Sequence, residues 1–132
     1  MTTFIVVRPL DLDRLVLAKG AHDATDGPPL DDCACLLEVA AYMAGEPWSD
    51  APQCVCPALA TFGRRLNDAL PDGPRQLLAQ YLVPMLGTAG DGLAGTRRYL
   101  ATDWAVRVAT PLWLDAAGQG AHAARLRALA AA

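Results

Sequence analysis

Proline and glycine set the limits on what this chain can fold into. It carries ten prolines and eleven glycines. A proline inside a helix removes a hydrogen bond and clashes with the preceding turn. A glycine just past a helix supplies the left-handed residue that ends it. Gly45 and Pro47 therefore close one segment, and Pro57 opens the next, where a missing N–H costs nothing. Pro71-Asp72-Gly73 reads as a turn, Pro74 as a new start, and Pro84 as a kink or stop near Val83. Gly87 to Gly95 is a flexible connection, Thr110-Pro111 a cap followed by a first helical residue, and Gly118 another stop.

Between these marks the apolar residues recur at helical spacing. Cys35, Val39 and Tyr42, with Leu36, Ala40 and Met43 beside them, predict a helix over 33–44 capped by Asp31 or Asp32. Leu59, Phe62, Leu66 and Leu70 stripe the second helix, and Leu77, Leu78, Tyr81 and Leu82 the third. Thr96 caps a fourth with Leu100, Trp104 and Val108 on one face. A short fifth begins at Pro111, and an Ala-rich tail over 120–131 is anchored by Leu126 and Leu129. At the other end, Thr2 to Val7 (TTFIVV) has the β-branched content of a strand, ended by Pro9. Leu10 to Lys19 partly alternates and is read as the returning arm of a hairpin, with 20–30 a loop. The expected fold is mainly α: one domain over 1–132, a bundle of about five helices, with a short N-terminal β-hairpin as an optional addition.

At 132 residues one hydrophobic core is attainable without metal or disulfide support. The net charge of −3 argues against a non-specific nucleic-acid binder, which needs a basic face. No apolar run reaches the ~18 residues of a membrane span, and the N-terminus lacks the basic start and apolar length of a signal peptide. A cytoplasmic protein is expected, without membrane or nucleic-acid partners, and with reduced cysteines. Nucleotide-binding glycine motifs, HExxH and GxSxG are absent from the sequence.

Chemistry-bearing side chains concentrate between Asp32 and Pro57, which holds all four cysteines as two C-x-C pairs together with Glu38, Glu46 and Asp50. On a helix, residues i and i+2 point about 200° apart, so Cys33 and Cys35 cannot share one ion there. Cys35 shares a helical face with Glu38 and Tyr42 and is the expected site member. Cys54 is the expected member of the second pair, since Cys56 directly precedes Pro57. His22, in the preceding loop, can add a nitrogen. Three readings follow: a zinc site from His22, Cys35, Cys54 and a carboxylate such as Asp50; a Cys35–Cys54 disulfide; or cysteines that are small buried hydrophobes. Glu38, on an apolar-flanked face, needs a partner such as Arg64, Arg65 or Arg97, or else serves as a general acid or base. Asn67-Asp68 reads as a solvated edge, and Asp103 pairs with Arg107 four residues on. Trp48 is placed to line a pocket or interface.

Gly20-Ala21-His22, Cys35-Leu36-Leu37-Glu38, Tyr42, Gly45-Glu46, Ser49-Asp50, Pro52 and Cys54 together resemble an uncharacterised family of small bacterial and phage proteins. Asn67-Asp68, Gly87-Thr88, Pro111 and Trp113 continue the likeness over most of the chain. The resemblance implies that His22, Cys35 and Glu38 form one site, and it implies no activity. The leading functional expectation is a small helical binding or regulatory module, acting through a protein partner or a homo-oligomer. The first alternative is an enzyme with Cys35 as nucleophile or metal ligand, Glu38 as general base and His22 as ligand or proton carrier. The second is a zinc-stabilised module without catalysis.

Overall fold

The computed structural model describes Val6 and residues 8–130. Among them the architecture is mainly α-helical and amounts to about five helices when contiguous segments are joined. The chain divides into two compact units, Met1–Ala94 and Gly95–Ala132.

In the first unit, helix α1 spans Leu36–Ala44 and helix α2 spans Pro57–Ala69. α1 stops at Gly45, whose φ of 72° is left-handed, a conformation that glycine enters without strain. α2 opens on Pro57, as the sequence places it. The start of α1 is a correction. Asp32 takes a left-handed φ of 52°, Cys35 is extended and is the N-cap, and the helix begins at Leu36 rather than at 33. Neither Asp31 nor Asp32 caps it. The oxygen comes instead from within the first turn, where Glu38 reaches back to accept the Cys35 N–H at 2.8 Å, one half of a capping box.

The third helical run is also more irregular than its apolar spacing implies. Helix α3 spans Asp72–Arg75, a 3₁₀ segment covers Gln76–Tyr81, and helix α4 spans Leu82–Met85. Asp72 and Gly73, expected in a turn, are already helical behind Pro71 as N-cap. Pro84 has no N–H to offer the Gln80 carbonyl, and the tightened 3₁₀ turn just before it relieves that mismatch.

The hairpin expectation splits in two. Apart from Val6, its Thr2–Val7 arm lies outside the described residues. The Leu10–Lys19 arm forms no strand; it meets a different segment through one parallel bridge, Val16 to Asp31. Val16 donates to the Leu30 carbonyl at 2.8 Å, and Ala18 donates to the Ala34 carbonyl at 2.9 Å. On its other side, the Gln76 amide accepts the Leu17 N–H at 2.7 Å and donates to the Leu17 carbonyl at 3.0 Å. A single side chain thus supplies the bonds that a neighbouring strand would give. Leu17 is then free to enter the core with Leu36, Leu37, Val39, Val55, Leu82 and Leu86, all buried.

In the second unit, helix α5 spans Ala94–Trp104, a π-helical segment covers Ala105–Ala109, helix α6 spans Thr110–Ala116 and helix α7 spans Gly120–Arg127. Thr96 and Thr110 are corrected as caps: α5 begins at Ala94, and helical structure runs without a break through Pro111. The Thr110 N–H bonds the Ala105 carbonyl, five residues back. This widened turn lets a proline follow inside the run. α7 packs on α6 through the fully buried Ala123, while Leu129, expected as an anchor, is half-exposed.

Candidate functional site

Glu38 is the centre of the polar structure around the cysteines. Its side chain is 1% exposed. One carboxylate oxygen accepts the His22 N–H at 2.6 Å; the other faces His22 Nδ1 at 2.9 Å and the Cys35 N–H at 2.8 Å. The Trp48 indole donates to the His22 carbonyl at 2.7 Å. A loop residue sixteen positions upstream is thereby fixed to the first turn of α1 by its backbone on both sides and by its ring. Glu38 finds its partners in His22 and backbone N–H groups, not in the arginines expected from sequence; Arg64 donates instead to the Asp50 carbonyl at 2.7 Å.

The structure thus brings His22, Cys35 and Glu38 together. Cys35 is 1% exposed. Burial, joined by the negative charge of Glu38, pushes its thiol up to about 12. It remains a thiol at neutral pH, whereas the thiolate is the nucleophile and metal ligand. Cys54 belongs to another carboxylate. Glu46 accepts the Cys54 and Gln53 N–H groups, both at 2.7 Å. Burial, and then the hydrogen bond to Glu46, push Cys54 up to about 11. All four cysteines are free thiols. Among the described residues no group of three or more His, Cys, Asp and Glu side chains is arranged to hold a metal ion.

The largest departure from the sequence reading is at Asn67-Asp68. Asn67 is fully buried. It accepts the Leu36 N–H at 3.2 Å and donates to the Ala18 carbonyl at 2.9 Å, joining the first helical residue of α1 to the bridged segment. Asp68 accepts the Gly20 N–H at 2.8 Å. Partial burial acts to raise its pKa, but this bond, the Asn67 amide and nearby cations outweigh it and hold the carboxyl below the ordinary value. Arg75 is also buried; its guanidinium donates to the Asn67 and Leu70 carbonyls and to Asp72, each at 2.7 Å, closing the C-terminus of α2. One sequence signal does bear on Asn67: an asparagine in a helix interior competes with its own backbone and needs a reason to be there.

A second feature lies on the same unit. Leu59, Phe62 and Leu66 of α2 face Leu78, Tyr81 and Met85 across a cavity of about 370 Å³, with Leu36 beneath. No charged side chain lines it. Gly63 sets how closely α2 approaches α1: a Cβ there would stand 3.3 Å from Leu36 Cδ2 and 3.5 Å from Leu37 Cδ2. Phe62 and Tyr81 stay about half-exposed at the rim. The apolar stripe read from the sequence is therefore only partly core.

No family model, curated protein or solved structure matches the chain. Among the described residues no helix is long and apolar enough to cross a membrane.

Proposed function

We propose that the unit spanning residues 1–94 is a protein-docking module whose apolar groove receives the apolar face of a basic amphipathic helix from a partner protein. The observation that carries this reading is the groove itself, an open apolar cleft between helical walls with two aromatic rings at its rim. Helix-in-groove recognition uses this kind of surface, reading apolar anchors at i, i+3/i+4 and i+7. Charge selects the partner's sign. Residues 1–94 hold six Lys/Arg against twelve Asp/Glu, a formal −6, which attracts a basic segment over long range and repels an acidic one.

The test is fluorescence anisotropy of the full chain with two labelled helical peptides of matched length, one patterned from Leu and Lys and one from Leu and Glu. The Leu/Lys peptide binds in the micromolar range, and Phe62→Lys or Tyr81→Lys weakens it at least about tenfold, or about 1.4 kcal/mol. Both positions are exposed enough to take the charge without unfolding. Equal binding by the two variants and the wild type removes the groove from the account. Saturable binding of laurate with no peptide binding replaces a protein partner with a small apolar ligand.

A further inference from the structure

We infer that a second cavity, on the opposite face of α2 from the apolar groove, is a binding site for a small monocarboxylic acid with a short branched apolar body. This site is independent of the docking reading. Its volume is about 370 Å³, within the range of small-ligand pockets. Pro57, Ala60, Thr61 and Arg64 line one wall; at i, i+3, i+4 and i+7 they share one face of the helix. Leu59, Phe62 and Leu66, which line the groove, fall on the other face. The loop before α2 and Ala89 supply the remaining walls, and the apolar lining is alanine, proline and valine only. Short side chains leave the space open, and the surrounding bonds keep it so. The Ala89 N–H donates to the Cys54 carbonyl at 3.1 Å, and the Cys56 N–H donates to Thr88 Oγ1 at 2.8 Å. Glu46 holds the Gln53 and Cys54 N–H groups from behind. A cavity fixed in this way loses little freedom when a ligand enters.

The polar groups in the cavity select the ligand. Arg64 donates one N–H to the Asp50 backbone carbonyl at 2.7 Å, which orients the guanidinium. Among the described residues no carboxylate pairs with it, in contrast to Arg75, Arg107 and Arg127. Its other N–H groups have no acceptor within the described chain, and a guanidinium matches a carboxylate with two parallel bonds. Thr61 and Gln53 also line the cavity, and each can add a donor to the same anion. No acidic side chain lines it. The formal −6 of residues 1–94 acts through a field that physiological salt screens beyond about 8 Å; a carboxylate seated on Arg64 is in direct contact.

Titration of the isotope-labelled full chain with isocaproate, followed through amide chemical shifts, tests the site. The Ala51, Thr61 and Ala89 N–H resonances shift saturably with a Kd of about 1 mM. Isocaproamide has the shape without the charge and acetate the charge without the body, and each binds at least about tenfold more weakly. Arg64→Gln weakens isocaproate at least about tenfold. Arg65→Gln removes the same charge from the next, exposed position and leaves the Kd within about twofold. Circular-dichroism melting confirms that both variants fold, and the comparison of acid with amide needs only the wild type. Shifts that do not saturate by about 20 mM overturn the inference. So does equal binding of isocaproate and its amide, or an Arg64→Gln chain that binds like the wild type. N-acetyl-Ala-Leu binding at least about tenfold tighter than isocaproate assigns the cavity to the end of a peptide chain and overturns the free acid as its ligand.

Discussion

Replacing Glu38 with glutamine should unlatch the His22 loop while barely changing side-chain volume. The carboxylate holds three donors: the His22 N–H on one oxygen, and the Cys35 N–H with His22 Nδ1 on the other. Glutamine keeps one oxygen and turns the other into a donor, so whichever way the amide is flipped it faces at least one backbone N–H. A hydrogen bond to a charged group contributes about 1.5–3 kcal/mol net, and a buried donor left without a partner costs about 1–3. Glu38→Gln should therefore destabilise by about 2 kcal/mol. Glu38→Ala, which strips both N–H groups, opens a cavity and removes the capping contact, should destabilise by about 4. His22→Ala deletes only the ring contact and should cost about 1. Urea unfolding followed through the Trp48 indole N–H resonance reports the latch directly, because that group donates to the His22 carbonyl. With an m-value of about 1.5 kcal/mol/M, the Gln variant unfolds at roughly 1.3 M less urea. A Gln variant within about 0.5 kcal/mol of wild type, with the Trp48 resonance unmoved, would show that the carboxylate does not hold the loop.

Other substitutions test other joints. Asn67→Leu, nearly the same size, leaves the Leu36 N–H and Ala18 carbonyl unpaired in the interior and should cost about 3 kcal/mol by urea titration. Gly45→Ala puts a Cβ at φ 72° and should cost about 1 kcal/mol by the same assay. Thiol labelling at pH 8 should modify the half-buried Cys33 first, with Cys35 and Cys54 reacting only on unfolding. The same two thiols predict alkaline destabilisation. Their folded pKa values lie above the ordinary 9.0, so their contribution is complete below about pH 9 and is lost as pH rises towards about 11 for Cys54 and about 12 for Cys35. A melting temperature that stays flat from pH 9 upward would contradict this.

What was legible in the sequence follows a physical divide. Gly45 and Pro57 act through their own backbone restrictions, so both boundaries can be read locally. The start of α1 cannot, because the oxygens that take the Cys35 and Leu36 N–H groups belong to Glu38, inside the helix, and to Asn67, thirty-one residues beyond Leu36. Pro111 fails for a related reason. Its missing N–H is accommodated by a π-turn whose cost is spread over five residues, and no single residue announces that. That Glu38 needs a partner could be read from its apolar surroundings on α1, but not that His22 and backbone N–H groups, rather than an arginine, supply it. The role of Gln76 could not be read either, because pairing with Leu17 across fifty-nine residues leaves no periodic trace.

The same polar groups bear on the choice between docking and catalysis. Active sites hold side chains whose hydrogen-bonding capacity is reserved for a substrate. Here Glu38, Asn67, Arg75 and Gln76 are committed to backbone groups of this chain, and among the described residues no buried side-chain nitrogen or oxygen lacks a partner. Each of them replaces a strand or a cap that the proline-broken backbone cannot supply. The apolar residues show the opposite balance. Tyr81, Leu100, Leu112 and Trp113 keep about half or more of their surface in water, although burying apolar surface stabilises a fold by about 25 cal/mol per Å². Polar groups satisfied inside and apolar side chains left outside are the balance that supports the docking proposal.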